Sequence, residues 1–408
     1  MSEVLERFLK YVKIDTESAY NQPVVPSTEK QKDLAALLAD ELRELGAGRV
    51  AVSEAGCVYG KIPGNCAGAP SIGFCAHLDT SPDLPGKDVK PRIVENYDGG
   101  DVTLNEELGI VLSPENFPHM RNYAGWDLVV TDGTTLLGAD DKAGIAEIMT
   151  MAKYFRDNPD EKHGDIEFFF PTDEEIGCLG AKTLDKSLFS PDFAYTLDGG
   201  PLGEITYETF NAASALVTVR GLNIHPGLAK NQMKNAILIA GEFINMLPPA
   251  ETPEHTEGYE GYYHVLELRG EVELTAIRLL LRDHDAEKLE AKKQRLRDIA
   301  EFLNKAYGEG NVTVEIEDTY RNIGEAIKPR FEIVEAIAEA MKAEGVEPFY
   351  TPMRGGTDGT ILSFDGGIPC PNICTGGHNF HGRYEYVPVQ SMEKIARILA
   401  GIVKSFAK

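Results

Sequence analysis

The pattern that most narrows the fold is a change of rhythm partway along the chain. Up to about residue 206, short apolar runs alternate with segments of helical period: Ser71 to Cys75, then Lys142 to about Arg156, Ile166 to Phe170 and Phe193 to Leu197. Continuous apolar runs are strands buried on both faces, and strands alternating with helices predict a largely parallel sheet covered by helices. Between about Tyr207 and Asp318 the order becomes strand, helix, strand, strand, helix, strand. The strands carry Ala215, Val217 and Val219, then Tyr262 to Leu268, Val272 to Leu281, and finally Val312, Val314 and Ile316; the helices run from Asn231 to Leu247 and from Ala286 to Tyr307. That order is the split β-α-β unit, a small sheet with both helices on one face. Helical periods near Phe331 to Met341 and from Ser391 to about Phe406 then return the chain to its first pattern. The expected fold is α/β, with a mixed, mostly parallel sheet over residues 1–206 and 320–408 and an inserted ferredoxin-like α+β domain over 207–319.

At 408 residues the chain is longer than one core usually serves, in keeping with two domains. Its start, MSEVLERFLKYVKIDTES, is an amphipathic helix with Val4, Phe8, Leu9 and Val12 on one face. It lacks the apolar run of a signal peptide or membrane span, so a cytoplasmic protein is expected. Thr28 to Gln31 spells a capping box, Leu34, Leu37, Leu38, Leu42 and Leu45 follow at helical spacing, and Gly46 supplies a stop. A formal net charge of -25 repels nucleic acid and anionic membrane, and neither is expected as a partner. Cys57, Cys66, Cys75, Cys178, Cys370 and Cys374 form no CxxC pair and read as reduced, mostly buried thiols.

Five separated segments place carboxylates or histidine where an α/β sheet builds its site, at strand ends and helix starts. In Cys75-Ala76-His77-Leu78-Asp79-Thr80, residues two apart in extended chain point the same way, so Asp79 could accept the second ring N–H of His77 and set its tautomer for a metal. Asp140 and Asp141 stand between Gly138 and Gly144 just before a helix, where they could serve as N-caps or as ligands in a tight loop. Asp173, Glu174 and Glu175 end an apolar strand and concentrate repelling charge unless cations answer it. One Glu as ligand and its neighbour as general base is the sharper reading, a solvated acidic loop the plainer one. Asp198 stands before Gly199 and Gly200, and His378 and His381 both follow Gly376 and Gly377, with neither spacing nor composition deciding between the two histidines. The donors are nitrogen and oxygen without thiolate, an inventory that suits two Zn²⁺, or less often Mn²⁺ or Co²⁺.

In this order the motifs AHLDTSPD, LLGADDKAGIAEI, PTDEEIG, LDGG, IHPGLAKNQMKNA, EGYEGYYH, LRDHD, RGGTDG and NFHGRYEYVP resemble the co-catalytic zinc exopeptidases of the M20 clan, and among them its tripeptide aminopeptidases. The resemblance spans essentially the whole chain. It implies a zinc-exopeptidase-like catalytic domain holding two Zn²⁺ per subunit, and it makes the inserted domain a lid. It further implies that His77 binds one metal with Asp79 orienting it, that Asp140 bridges both ions, that Glu174 is the general base and Glu175 a ligand, and that Asp198 and His381 complete the two sites. His381 is preferred over His378 because family members place the last ligand four residues before a Glu, here Glu385.

By the same resemblance His225, in Ile224-His225-Pro226-Gly227, is the oxyanion donor of the lid, and Arg282 and Arg354 hold the substrate's free carboxylate. An ordinary loop histidine, and a surface arginine paired with a neighbouring acid, such as Arg282 with Asp283 or Asp285, are the plainer readings. The implied activity is release of the N-terminal residue from short peptides, chiefly tripeptides. Related dipeptidases, carboxypeptidases and N-acyl amino acid deacylases share the metal site, and a non-catalytic peptide- or metal-binding protein could share the fold. Lid-mediated dimers occur among relatives, so the resemblance allows a homodimer.

Overall fold

Four runs of chain lie parallel and side by side: Ile166–Phe170, Ile72–Cys75, Phe193–Gly199 and Asn372–Cys374. Nearly every residue in them is buried, as strands covered on both faces must be. Antiparallel strands extend this sheet on both sides, Val58–Ile62 and Gly48–Val52 beyond Ile166–Phe170, and Glu204–Thr206 beyond Asn372–Cys374; Phe349–Tyr350 then pairs parallel to Glu204–Thr206. The computed structural model describes residues 1–407.

Helix Ala139–Asp157 packs on strand Phe193–Gly199 and against helices Glu3–Tyr11 and Val389–Ser405. It can approach the strand because Gly144 has no side chain: a Cβ there would lie 2.5 Å from Asp141 Oδ1 and 2.6 Å from the Leu197 carbonyl. Helix Gln31–Glu44 covers the antiparallel flank with Leu34, Leu38 and Leu42 buried. Its start departs from the expected capping box. Lys30 is the N-cap without a side-chain bond, and the Gln31 amide donates to Asp173 Oδ1 at 2.6 Å, a stronger charge-assisted partner than a backbone cap.

The chain divides into two compact units, the first formed by Met1–Tyr207, Glu325–Thr351 and the chain from Thr357 on, the second by Glu208–Gly324 with Pro352–Gly356. The second unit is an antiparallel sheet in the order Tyr262–Gly270, Leu274–Asp283, Asn211–Arg220, Val312–Tyr320. Ala213, Ala215, Val217 and Val219 alternate onto one face and meet Ile239 and Phe243 of helix Ala236–Asn245 and Leu289, Leu296 and Leu303 of helix Ala286–Tyr307. The first of these helices starts at Ala236, later than the periodicity predicts, because Asn235 caps it by accepting from Ile237 N at 3.0 Å. Among the described residues no helix is long and apolar enough to cross a membrane.

Candidate metal centre

The C-terminal ends of the parallel strands converge on one set of side chains. His77 follows Ile72–Cys75, Glu174 and Glu175 follow Ile166–Phe170, Asp198 lies near the end of Phe193–Gly199, and His381 stands on the loop after Asn372–Cys374. Asp140 enters from the start of helix Ala139–Asp157, with a cis peptide to Asp141. Candidate donor atoms of His77, Asp140 and Glu175 lie within 4.8 Å of one another, as do those of His77, Glu174 and Asp198. Asp140 faces two histidines at once: Oδ1 is 2.9 Å from His77 Nε2 and Oδ2 is 3.3 Å from His381 Nε2. His381 Nε2 also lies 2.9 Å from Glu175 Oε2, while its Nδ1 is 3.2 Å from Asp83 Oδ2. The site is buried at His77 and opens to solvent at His381.

Its electrostatics call for positive charge. Burial raises Glu174 and Asp198 well above the ordinary carboxylate range and also raises Glu175, with neighbouring acids adding to the effect. Burial also opposes ionisation of Asp140, yet hydrogen bonds from His381 and His77 outweigh it and hold that carboxyl below its usual value. The same bonds, to Asp140 and Glu175, raise His381 to about 11. Burial works against protonation of His77, yet Asp140 and Asp79 draw it toward the cationic form as Asp140 and Glu175 draw His381, so these carboxylates already favour positive charge. Glu175 Oε1 is buried without a hydrogen-bond partner, a further fit to a cation. The donor set therefore suits a pair of metal ions.

Asp79 stands beside the His77 ring, as the sequence reading expects, and bonds the acidic loop as well. His77 Nδ1 lies 2.9 Å from the Asp79 backbone carbonyl and 3.4 Å from its Oδ1. The carboxylate also accepts from the backbone amides of Glu174 (2.9 Å) and Glu175 (3.3 Å), because the acidic loop presents those N–H groups directly to it. The adjacent Asp140 and Asp141 are not caps of the following helix, whose N-cap is Gly138, and Asp141 Oδ2 accepts from His77 N at 3.0 Å. Asp173, the first acid of its run, bonds Ser27 and Gln31 rather than joining the donors. His378 is buried elsewhere, with Nε2 2.7 Å from the Tyr123 hydroxyl and its ring stacked on His119 and Tyr386. Sequence reasoning assigns no role to Glu385, whose carboxylate accepts from the amides of Leu137, Gly138 and Asp140; its only trace along the chain is its spacing from His381.

The remaining expected residues belong to the second unit. His225 is exposed and accepts from Gly227 N at 3.2 Å, which fixes its ring on the Pro226 turn. Arg282 donates to the carbonyls of Ala213 and Leu281 and stacks on Tyr320. Arg354 donates to the Gly258 and Glu260 carbonyls and to Thr256 Oγ1, over the rings of Phe210 and Tyr262. Neither arginine pairs with the neighbouring acids of the plainer reading, because nearer backbone carbonyls take their N–H groups.

A mixed sheet with nitrogen and oxygen donors gathered at its carboxyl edge is an arrangement able to hold metal ions. The chain belongs to the family described as Peptidase family M20/M25/M40, whose model matches residues 124–405, and is therefore a hydrolase of that family. Proteins called Peptidase T from Halothermothrix orenii (52% identical over 408 residues, all of both chains) and Clostridium perfringens (53% over 409 residues, likewise complete) are similar to it along its whole length. Among solved structures it is similar to an aminopeptidase PepT from Bacillus cereus, with a TM-score of 0.79 and 25% identity over 100% of this chain and 98% of that one. A structure titled a dinuclear metal binding peptidase of the M20 family, from Bacillus subtilis, shares the fold at a TM-score of 0.65 and 13% identity, covering 98% and 97%.

Proposed function

We propose that this chain is an aminopeptidase that releases the N-terminal residue from short peptides, chiefly tripeptides, at a two-metal centre. The observation that carries the reading is the Asp140 carboxylate, whose two oxygens face two different histidines, His77 and His381. His77, Asp140 and Asp198 would hold one ion, and Asp140, Glu175 and His381 the other. Zn²⁺ suits these donors, with Mn²⁺ or Co²⁺ as substitutes. When bound, such ions polarise a peptide carbonyl and lower the pKa of water. The full-length similarity to Peptidase T proteins and to an aminopeptidase structure supports the choice of bond.

Glu174 is the general base in this reading. It takes the proton of the attacking water and delivers it to the leaving amine. Asp79 keeps the base and the adjacent Glu175 in register through their amides. From the family resemblance, His225 is proposed as oxyanion donor and Arg282 and Arg354 as holders of the substrate carboxylate.

The test is metal analysis of the purified protein together with a substrate panel. The expected result is two ions per chain and release of the N-terminal residue from free tripeptides but not from N-acylated ones. Release of C-terminal residues, or hydrolysis of N-acyl amino acids, would replace this reading with a carboxypeptidase or deacylase.

A further inference from the structure

Glu385 lies four residues after His381 and is 1% exposed. Its Oε2 accepts from the amides of Leu137 (2.8 Å) and Gly138 (2.9 Å), and its Oε1 from the amide of Asp140 (3.1 Å). Leu137 and Gly138 stand just before helix Ala139–Asp157 and Asp140 lies in its non-helical first turn, so none of these N–H groups has a partner within the helix. A serine or threonine cap supplies one acceptor, whereas a carboxylate serves several amides and makes the bonds charge-assisted. Gly138, at φ +80, turns the chain so that successive amides point at one oxygen. The Lys142 side chain lies close by: a Cβ on Gly138 would lie 3.8 Å from its Nζ, and burial lowers its pKa to about 7 against the pull of Asp15, Glu385 and Asp79.

The other end of the tie is equally closed. His378 N donates to the Tyr386 carbonyl at 2.9 Å, and Tyr386 N returns a bond of 3.1 Å to His378. Within that loop Glu385 N donates to the Gly382 carbonyl at 3.2 Å and Asn379 Nδ2 to the Tyr384 carbonyl at 3.0 Å. His381 sits at the tip, so anchoring Glu385 on residues 137–140 also sets the distance between His381 and Asp140.

We infer that Glu385 is a positioning residue that clamps the loop bearing Asp140 to the loop bearing His381, assembling the His381 side of the centre before any ion arrives. This rests on the reading of Asp140 and His381 as metal ligands. A side chain that holds ligands in place is felt in metal affinity, by about 10- to 100-fold when it is lost.

Two measurements test the clamp. In Glu385→Gln the volume stays while one acceptor oxygen and the charge are lost. Titration of the chelator-stripped protein with Zn²⁺ should then show binding weakened by about 10- to 100-fold, in at least one of the two steps, since Asp140 serves both ions. At saturating Zn²⁺, kcat should recover toward wild type with KM unchanged. The second measurement needs no variant: in metal-free wild-type protein the amides of Leu137, Gly138 and Asp140 should be protected from hydrogen exchange. Free exchange at those amides, or two wild-type Zn²⁺ affinities in Glu385→Gln, would overturn the clamp. Wild-type protein that takes up fewer than two Zn²⁺ would instead overturn the metal-centre reading.

Discussion

His378 and His381 are the same side chain on the same loop, and only their surroundings separate them. His378 is enclosed by Tyr123, Tyr386 and His119, and burial, helped by the charge of His119, pushes its pKa down to about 3 from 6.5. The unfolded chain therefore binds a proton here that the folded chain refuses. The stability that neutral His378 contributes is complete above pH 6.5 and is lost as pH falls toward about 3. His378→Phe should flatten that part of the acid limb in urea unfolding while retaining both ions. At pH 8 it should cost about 1–3 kcal/mol, since the Tyr123 hydroxyl loses its partner. Loss of an ion in this variant would mean that the wrong histidine has been placed beside Asp140. For Glu174→Gln the expected outcome is full metal content with kcat reduced by about 10²- to 10⁴-fold. An unchanged rate would remove the base from the mechanism.

At the scale of elements, long periodic segments were legible and short ones were not. Helix Ala286–Tyr307 has the bounds its pattern predicts, and so does strand Ile166–Phe170. Strands such as Glu204–Thr206, Leu128–Val130 and Tyr386–Pro388 hold three residues each, too few to display a period, and exist because neighbours offer them hydrogen bonds. Helix Ala139–Asp157 was readable as a helix, but its closeness to strand Phe193–Gly199 was not. That closeness reverses a familiar effect. Gly→Ala within a helix usually stabilises by about 1 kcal/mol, whereas at Gly144 the new methyl would meet Asp141 and the Leu197 backbone. Gly144→Ala should destabilise by about 1–3 kcal/mol in chemical unfolding. A stabilised variant would show that the helix can move off the strand freely.

For the molecule as a whole, the centre gathers Asp140, Asp141, Glu174, Glu175, Asp198 and Asp358 in one interior, and burial makes their simultaneous ionisation costly. Cations bound only by the folded state should then stabilise it, by about 2.7 kcal/mol for one site at 100 times its Kd. Chelation should lower the unfolding midpoint and added Zn²⁺ should restore it; identical midpoints would show that the carboxylates need no ion to coexist. The types of donor, their order, and the alternation of strands with helices were written in the sequence, because periodicity and residue chemistry are local properties. The tertiary structure alone decided that Asp79 grips the amides of Glu174 and Glu175, that the ring of His378 is walled in by Tyr123 and His119, and that Glu385 holds the Asp140 loop. Those contacts join a side chain to distant backbone or ring atoms, and such pairings leave no pattern along the chain until folding brings them together.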